Sequence, residues 1–312
     1  MMKMRKKMDS NRIALIFGAL ALILGFFASS AVAAGPGTVT MTVTAVGKKD
    51  TSPPIVNKED VQLYLNKERT QIADWTHDGK LYLAVVIDDS LDNVIANQWN
   101  DLKAFFAAQP DTTYISVSYA RNGTAMVAQD FTNDHELAAK ALRLPLGGGG
   151  AFSSPYLTLL DLMKRLPSSA DRRSILFFSS GIDYFRGDFW TRPVDLDSTI
   201  SLAQKQNINI WTIYAPDAGH RARGFFLISR AQSYLSQLSD ETGAESFYLG
   251  TGEPVTFKPY FDELALHLNN QYLLTFKASG GAKRRFQRVK VATELPRVEF
   301  MSQSQVFLPA AK

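Results

Sequence analysis

Two hydrophobic rhythms divide the chain. VTMTVTAV alternates polar and apolar residues and predicts a strand; DVQLYLNKERTQIADW predicts a strand pair turning at Asn66-Lys67, with Val61, Leu63 and Leu65 on one face. KKDTSPPIVNKED between them is a turn-rich loop. From Lys80 the pattern changes. LYLAVVI, SILFFSS and INIWTIYA are near-continuous apolar runs, as expected of strands buried on both faces. Helical spacing follows or separates them: about 92 to 107, HELAAKALRL, YLTLLDLMKRL, LDSTISLAQKQ, FFLISRAQSYLSQLSDETG with a stop at Gly243, and a last helix within PVTFKPYFDELALHLNNQ. Ser153 and Ser154 are candidate caps before Pro155. TTYISVSYARNGTAMVAQDF predicts a hairpin at Asn122-Gly123, and SFYLGT a short strand. The tail returns to strands: YLLTFKA, FQRVKVATE and VEFMSQSQVFL.

Strands alternating with helices predict an α/β fold, a mostly parallel sheet with helices on both faces, over 79–271. The N-terminal segment 35–78 is too short for a core of its own, and with the strands of 272–312 it is expected to form one small β-sandwich-like unit. Ligands of such sheets bind at the carboxyl ends of the strands. IDDSLDNV, Ile87 to Val94, stands at one of these ends.

Residues 1–34 read as a leader: a basic start, the apolar run IALIFGALALILGFF, and Ala31-Val32-Ala33 before a cleavage site. Export to the periplasm or beyond the cell is the expectation. The alternative is an uncleaved inner-membrane anchor over 13–34, and membrane association is expected only in that case. The leader also explains the basic balance. Five of the 34 Lys and Arg and one of the 30 Asp and Glu precede residue 35, leaving 29 of each sign, so nothing points to nucleic acid. The absence of cysteine excludes disulfides, thiolate metal sites and a cysteine nucleophile.

The order of elements, with SPYLTLLDLMKRLP, the strand bearing SSGID, INIWTIYAPDAGH, QSYLSQLSDETGAESFYLGTGEPVTFKPY and NNQYLLTF, resembles von Willebrand factor type A (VWA) domains with their Rossmann-like sheet. Within these it is similar to the bacterial VWFA-related proteins of acidobacterial type. The resemblance implies a domain that binds another protein through its top loops. It also implies a metal-ion-dependent adhesion site formed by a DxSxS loop, a threonine from a second loop and an aspartate after a later strand. Asp88 and Ser90 match the first two positions, and Asp92 replaces the second serine. The second loop offers Ser153 or Ser154 in place of threonine, and Ser180 stands where the late aspartate belongs, with Asp183 close behind.

Two readings of this degenerate set stay open. Asp92 restores the charge missing at Ser180 and a cation such as Mg²⁺ or Ca²⁺ binds, or Asp89, Ser90 or Asp92 caps the following helix. No catalytic residue is expected, since neither a GxSxG elbow nor paired histidine spacing occurs. His77, His135, His220 and His267 read as exposed or locally bonded. HRARGFFLISR offers either a partner-binding patch or a helix start with two core phenylalanines.

Overall fold

The computed structural model describes residues 37–310 apart from 49–51, 78, 148–153, 168–170, 184–191, 220–223, 249–255, 279 and 282. The leader and Ser153 lie outside the described residues. Among the described residues no helix is long and apolar enough to cross a membrane.

The apolar runs form the middle of a six-stranded sheet. Its strands are β5 (Leu81–Asp88), β6 (Thr113–Arg121), β7 (Thr124–Thr132), β8 (Arg172–Ser179), β9 (Asn209–Tyr214) and β10 (Ser246–Phe247), in the order β10-β9-β8-β5-β6-β7. All neighbours are parallel except the β6–β7 hairpin.

Two cores explain why β5 has no polar face. Leu81, Leu83, Val85 and Ile87 point to one core, Ala84 and Val86 to the other. On the first side the sheet is covered by α1 (Trp99–Ala107), α2 (His135–Lys140) and α6 (Lys258–Asn269). On the second it is covered by α3 (Pro155–Met163), α4 (Leu196–Gln206) and Leu238 of α5 (Phe225–Thr242). Each fully buried aliphatic of β5 stabilises the fold by about 1.5–3 kcal/mol.

The remaining strands make two four-stranded antiparallel sheets. One has the order β13-β1-β11-β4, from β1 (Gly37–Gly47), β4 (Ile72–Thr76), β11 (Gln271–Ala278) and β13 (Val298–Ser302). The other has the order β14-β12-β2-β3, from β2 (Val61–Leu65), β3 (Glu68–Thr70), β12 (Arg285–Thr293) and β14 (Gln305–Leu308). They share one apolar core, in which Met41, Val43 and Ala45 meet Leu63, Val291 and Val306. The turn at Asn66-Lys67 is present, with φ of 47° and 76°.

The threonines alternating along β1 are not solvated. Thr42 and Thr44 are buried, and the backbone on this side is tied to the α/β part: Thr42 N–H donates to Asn207 Oδ1 at 2.7 Å, and Ala45 N–H to the Asn270 carbonyl at 2.9 Å. Both faces of β1 are therefore covered, one by the sandwich core and one by the helical layer.

Two elements differ from the sequence pattern. HELAAKALRL is helical only to Lys140 and continues irregularly toward Gly147. VEFMSQSQVFL is two strands in different sheets, parted at Gln303-Ser304. The cause is long-range. Ser304 N–H donates to the Glu241 carbonyl at the end of α5, and the Ser304 carbonyl accepts from Val289 N–H, which turns the chain from one sheet to the other. Gly243 makes room for this crossing: its φ is 76°, and a Cβ there would lie 2.5 Å from Gln303 N.

Candidate functional site

Strand β5 ends where the sheet changes direction, since the chain leaves it for β6 on one side and returns to β8 on the other. That reversal opens the sheet's carboxyl end to a loop cluster, and IDDSLDNV falls there.

Each acidic residue of this loop faces protein donors. The Asp88 carboxylate is buried; Oδ1 accepts from Ser90 N–H and Oδ2 from the Ser179 hydroxyl, each at 3.0 Å. Ser179 Oγ in turn accepts from Gly181 N–H at 3.0 Å. Gly181 has a φ of 71°, and a Cβ there would stand 2.9 Å from the Ala231 carbonyl oxygen, so glycine is needed for this turn. The result is a side-chain clasp joining β5 to β8.

Asp89 points the other way. It forms a two-pronged ion pair with Arg143, at 2.7 and 2.8 Å, and also accepts from Leu146 N–H at 3.3 Å. The guanidinium lies 3.6 Å over the Tyr119 ring, and Tyr119 Oη accepts from Arg143 N–H at 2.6 Å. Burial pushes the Tyr119 phenol above its ordinary pKa, although the hydrogen bond and charge of Arg143 oppose it. Asp89 thus fixes the Arg143–Gly147 segment against the sheet; Gly147 N–H donates to the Asp89 carbonyl at 3.1 Å.

Asp92 is a cap. Its Oδ1 accepts from Val94 N–H at 3.1 Å, at the start of a 3₁₀ turn over Asn93–Gln98 that leads into α1. Ser90 Oγ is buried and has no hydrogen-bond partner among the described residues. Ser180 is fully buried and among the described residues its Oγ accepts a long, 3.4 Å bond from Ile182 N–H. Asp183 does turn back into the fold: its Oδ2 accepts from the Ser154 hydroxyl at 3.1 Å. Above them Tyr156 donates to the Gly181 carbonyl at 3.1 Å; burial, and then the charge of Asp183, push its phenol far up.

The structure therefore brings together two pairs, Asp88–Ser179 and Ser154–Asp183. Sequence reasoning missed Ser179, Arg143 and Asp217. Asp217 is buried after β9, accepts from Gly219 N–H at 2.6 Å and forms an isolated bridge with Leu91. The only available signal was an aspartate following a predicted strand.

A hard divalent cation needs about six oxygen ligands, and Mg²⁺ needs them near octahedral positions. Here Ser179 donates a proton to Asp88, Asp92 is turned to a backbone N–H, and Asp183 accepts from Ser154. Among the described residues this donor set fits a hydrogen-bonded clasp and supplies fewer than the six oxygens that Mg²⁺ needs. The buried Ser90 hydroxyl is the feature among the described residues that favours a further ligand. Among the described residues the hollow beside Asp92, lined by Val94, Ile95 and Phe257, measures about 20 Å³, room for about one water. A wider hollow of about 790 Å³ lies on the sandwich, between Tyr64, Lys67, Arg288 and Lys290, and includes none of these acids.

The rim is apolar. Leu144 and Leu146, on the segment held by Asp89, are more than half exposed, and so are Phe225 and Phe226 at the start of α5. The phenylalanines pack edge to face with centroids 5.8 Å apart. They are not core residues, contrary to one sequence reading: the helix face that enters the core begins at Ile228 and continues through Ala231 and Leu235. His220, Arg221 and Arg223 lie outside the described residues.

No family model matches the chain, and no curated protein matches it. Solved structures do. An aerotolerance-related membrane protein from Bacteroides fragilis is 10% identical, covering 61% of this chain and 98% of its own, with a TM-score of 0.43. The ArnB paralog VWA2 from Sulfolobus acidocaldarius is 10% identical, covering 88% and 76%, with a TM-score of 0.38. The manganese-loaded TRAP protein of Plasmodium vivax is 10% identical, covering 78% and 98%, with a TM-score of 0.42. VWA domains are thus among the solved structures this chain is similar to. The strand order carries the fold assignment: a mostly parallel α/β sheet of Rossmann-like type with two antiparallel sheets added.

Proposed function

We propose that this chain is an exported, non-enzymatic binding protein that engages another protein through the loops at the carboxyl end of its parallel sheet, without a bound cation. One observation carries the reading. The charges of the VWA-like loop are held by protein donors, Asp88 by Ser179, Asp89 by Arg143 and Asp92 by the Val94 amide, while apolar side chains stand exposed among the described residues at this end of the sheet. Exposed aromatic side chains are favoured anchors in protein interfaces. Export rests on the leader at 1–34.

Co-purification from the native host, with and without chelator, tests this when the captured protein is then titrated against wild type and a Phe225→Ala/Phe226→Ala double variant. Capture should survive chelation, and the double variant should lose at least about tenfold in affinity, as expected for a hot-spot pair. Capture that requires Mg²⁺ or Ca²⁺, or that ignores the phenylalanines, would overturn it.

The second reading is a functional cation site, with Asp88, Ser90 and Asp92 as ligands and with Ser154, Ser180 or Asp183 completing it. The buried Ser90 hydroxyl favours it, and Ca²⁺ suits the irregular set better than Mg²⁺. Calorimetry with both ions separates the two readings.

A further inference from the structure

A different acidic cluster lies at the β10 edge of the parallel sheet. Glu245 immediately precedes β10. Glu263 and His267 are four residues apart on α6 and so share one helical face. One potential ligand atom from each residue lies within 4.8 Å of the others. His267 Nδ1 and Glu245 Oε2 are 3.7 Å apart. That is too long for a hydrogen bond. Two donors each about 2.1 Å from a tetrahedral Zn²⁺ lie about 3.4 Å apart, close to the separation seen here.

The histidine is held for such a role. It is 3% exposed, and the Trp211 ring stacks on it at 5.5 Å between centroids, which fixes the imidazole plane. The Glu245 side chain is 41% exposed, so the cluster opens to solvent on one side and an ion has a path in. The negative charge of Glu263 reaches Tyr260, whose phenol is pushed up by burial and then by this charge. Two carboxylates and a buried imidazole thus converge on one place.

We propose that Glu245, Glu263 and His267 bind one divalent transition-metal ion. Zn²⁺ best matches the set of one nitrogen and two oxygens, with water in the fourth position. Mg²⁺ and Ca²⁺ prefer all-oxygen sets and are disfavoured by the imidazole. The ion staples the last turn of α6 to the short edge strand β10, over Trp211. The site is separate from the carboxyl-end loops and does not rest on the function proposed for them.

The test is calorimetry and thermal unfolding of the chelator-stripped full chain with Zn²⁺ and, separately, Mg²⁺. Wild type should bind one equivalent of Zn²⁺ and melt at a higher temperature. Glu245→Gln and Glu263→Gln should each weaken Zn²⁺ at least about tenfold while keeping the wild-type circular dichroism spectrum. Asp262→Asn, which changes the neighbouring carboxylate paired with Lys258, should bind as wild type does. The glutamates are the better probes because removing His267 also unpacks Trp211. Absence of Zn²⁺ heat and of any melting shift, or Zn²⁺ binding unchanged in both glutamine variants, would overturn the proposal.

Discussion

The two acidic constellations of this molecule differ in what their carboxylates face. At the carboxyl end of the sheet, Asp88, Asp89 and Asp92 each accept hydrogen bonds from nearby protein groups, a hydroxyl, a guanidinium and backbone amides. At the β10 edge, one potential ligand atom each of Glu245, Glu263 and His267 lies within 4.8 Å of the others, with Glu245 and His267 3.7 Å apart. Acidity alone therefore does not mark a cation site. The lesson is that donor direction decides: the same residue types make a clasp in one place and a coordination triad in the other.

The largest expected effect lies in the carboxyl-end region. Arg143→Ala leaves Asp89 buried and without its ion pair. Urea unfolding should show a loss of about 3 kcal/mol, the low end for an orphaned buried charge, because the guanidinium is partly in water. A loss below 1 kcal/mol, measured against about 0–1 for surface pairs, would mean that the pair acts as a surface bridge.

Alkaline pH should come next. Burial, and then the charge of Asp217, push the Tyr214 phenol up to about 12, above the roughly 10 of an unfolded tyrosine. The folded state holds this proton longer. Its contribution to stability is complete below the unfolded value and is lost as pH rises through the folded one. Unfolding followed by fluorescence should show stability falling over that window, and Asp217→Asn should narrow it. An identical alkaline profile in wild type and Asp217→Asn would rule out the charge of Asp217 as a cause.

Asp88→Asn keeps one acceptor and loses the charge of the clasp, so it should cost about 1–2 kcal/mol in unfolding experiments. Asp92→Ala removes only a cap and should cost about 1 kcal/mol. If Asp92 substitution instead changed cation affinity and left stability intact, its role as a cap would fail.

Much of the fold is legible in the sequence because burial on both faces leaves a local mark. LYLAVVI, SILFFSS and INIWTIYA carry no polar alternation, and they are the central strands β5, β8 and β9. The Asn122-Gly123 and Asn66-Lys67 turns and the Gly243 stop announce themselves through residues that tolerate positive φ. What stayed hidden depends on partners far along the chain. The break in VEFMSQSQVFL follows from a bond between Ser304 and Glu241. The outward turn of Phe225 and Phe226 follows from the phase at which α5 meets the core.

The site shows the same division. Asp88, Ser90 and Asp92 are local and were readable, and Asp92 as a cap was one of the stated alternatives. Arg143 stands 54 residues from Asp89 and Ser179 stands 91 from Asp88, and no spacing rule links residues so far apart. Glu263 and His267 share an i, i+4 spacing, but Glu245 joins them only through the packing of α6 on the edge strand.

The reading proposed above holds that Asp88 is closed onto Ser179 and that IDDSLDNV keeps no working cation site. Thermal unfolding of the chelator-treated protein in millimolar Mg²⁺ or Ca²⁺ tests it most directly, with Asp88→Asn beside wild type. No shift in melting temperature with either ion is the predicted result. A saturable rise in wild type that disappears in Asp88→Asn would contradict it.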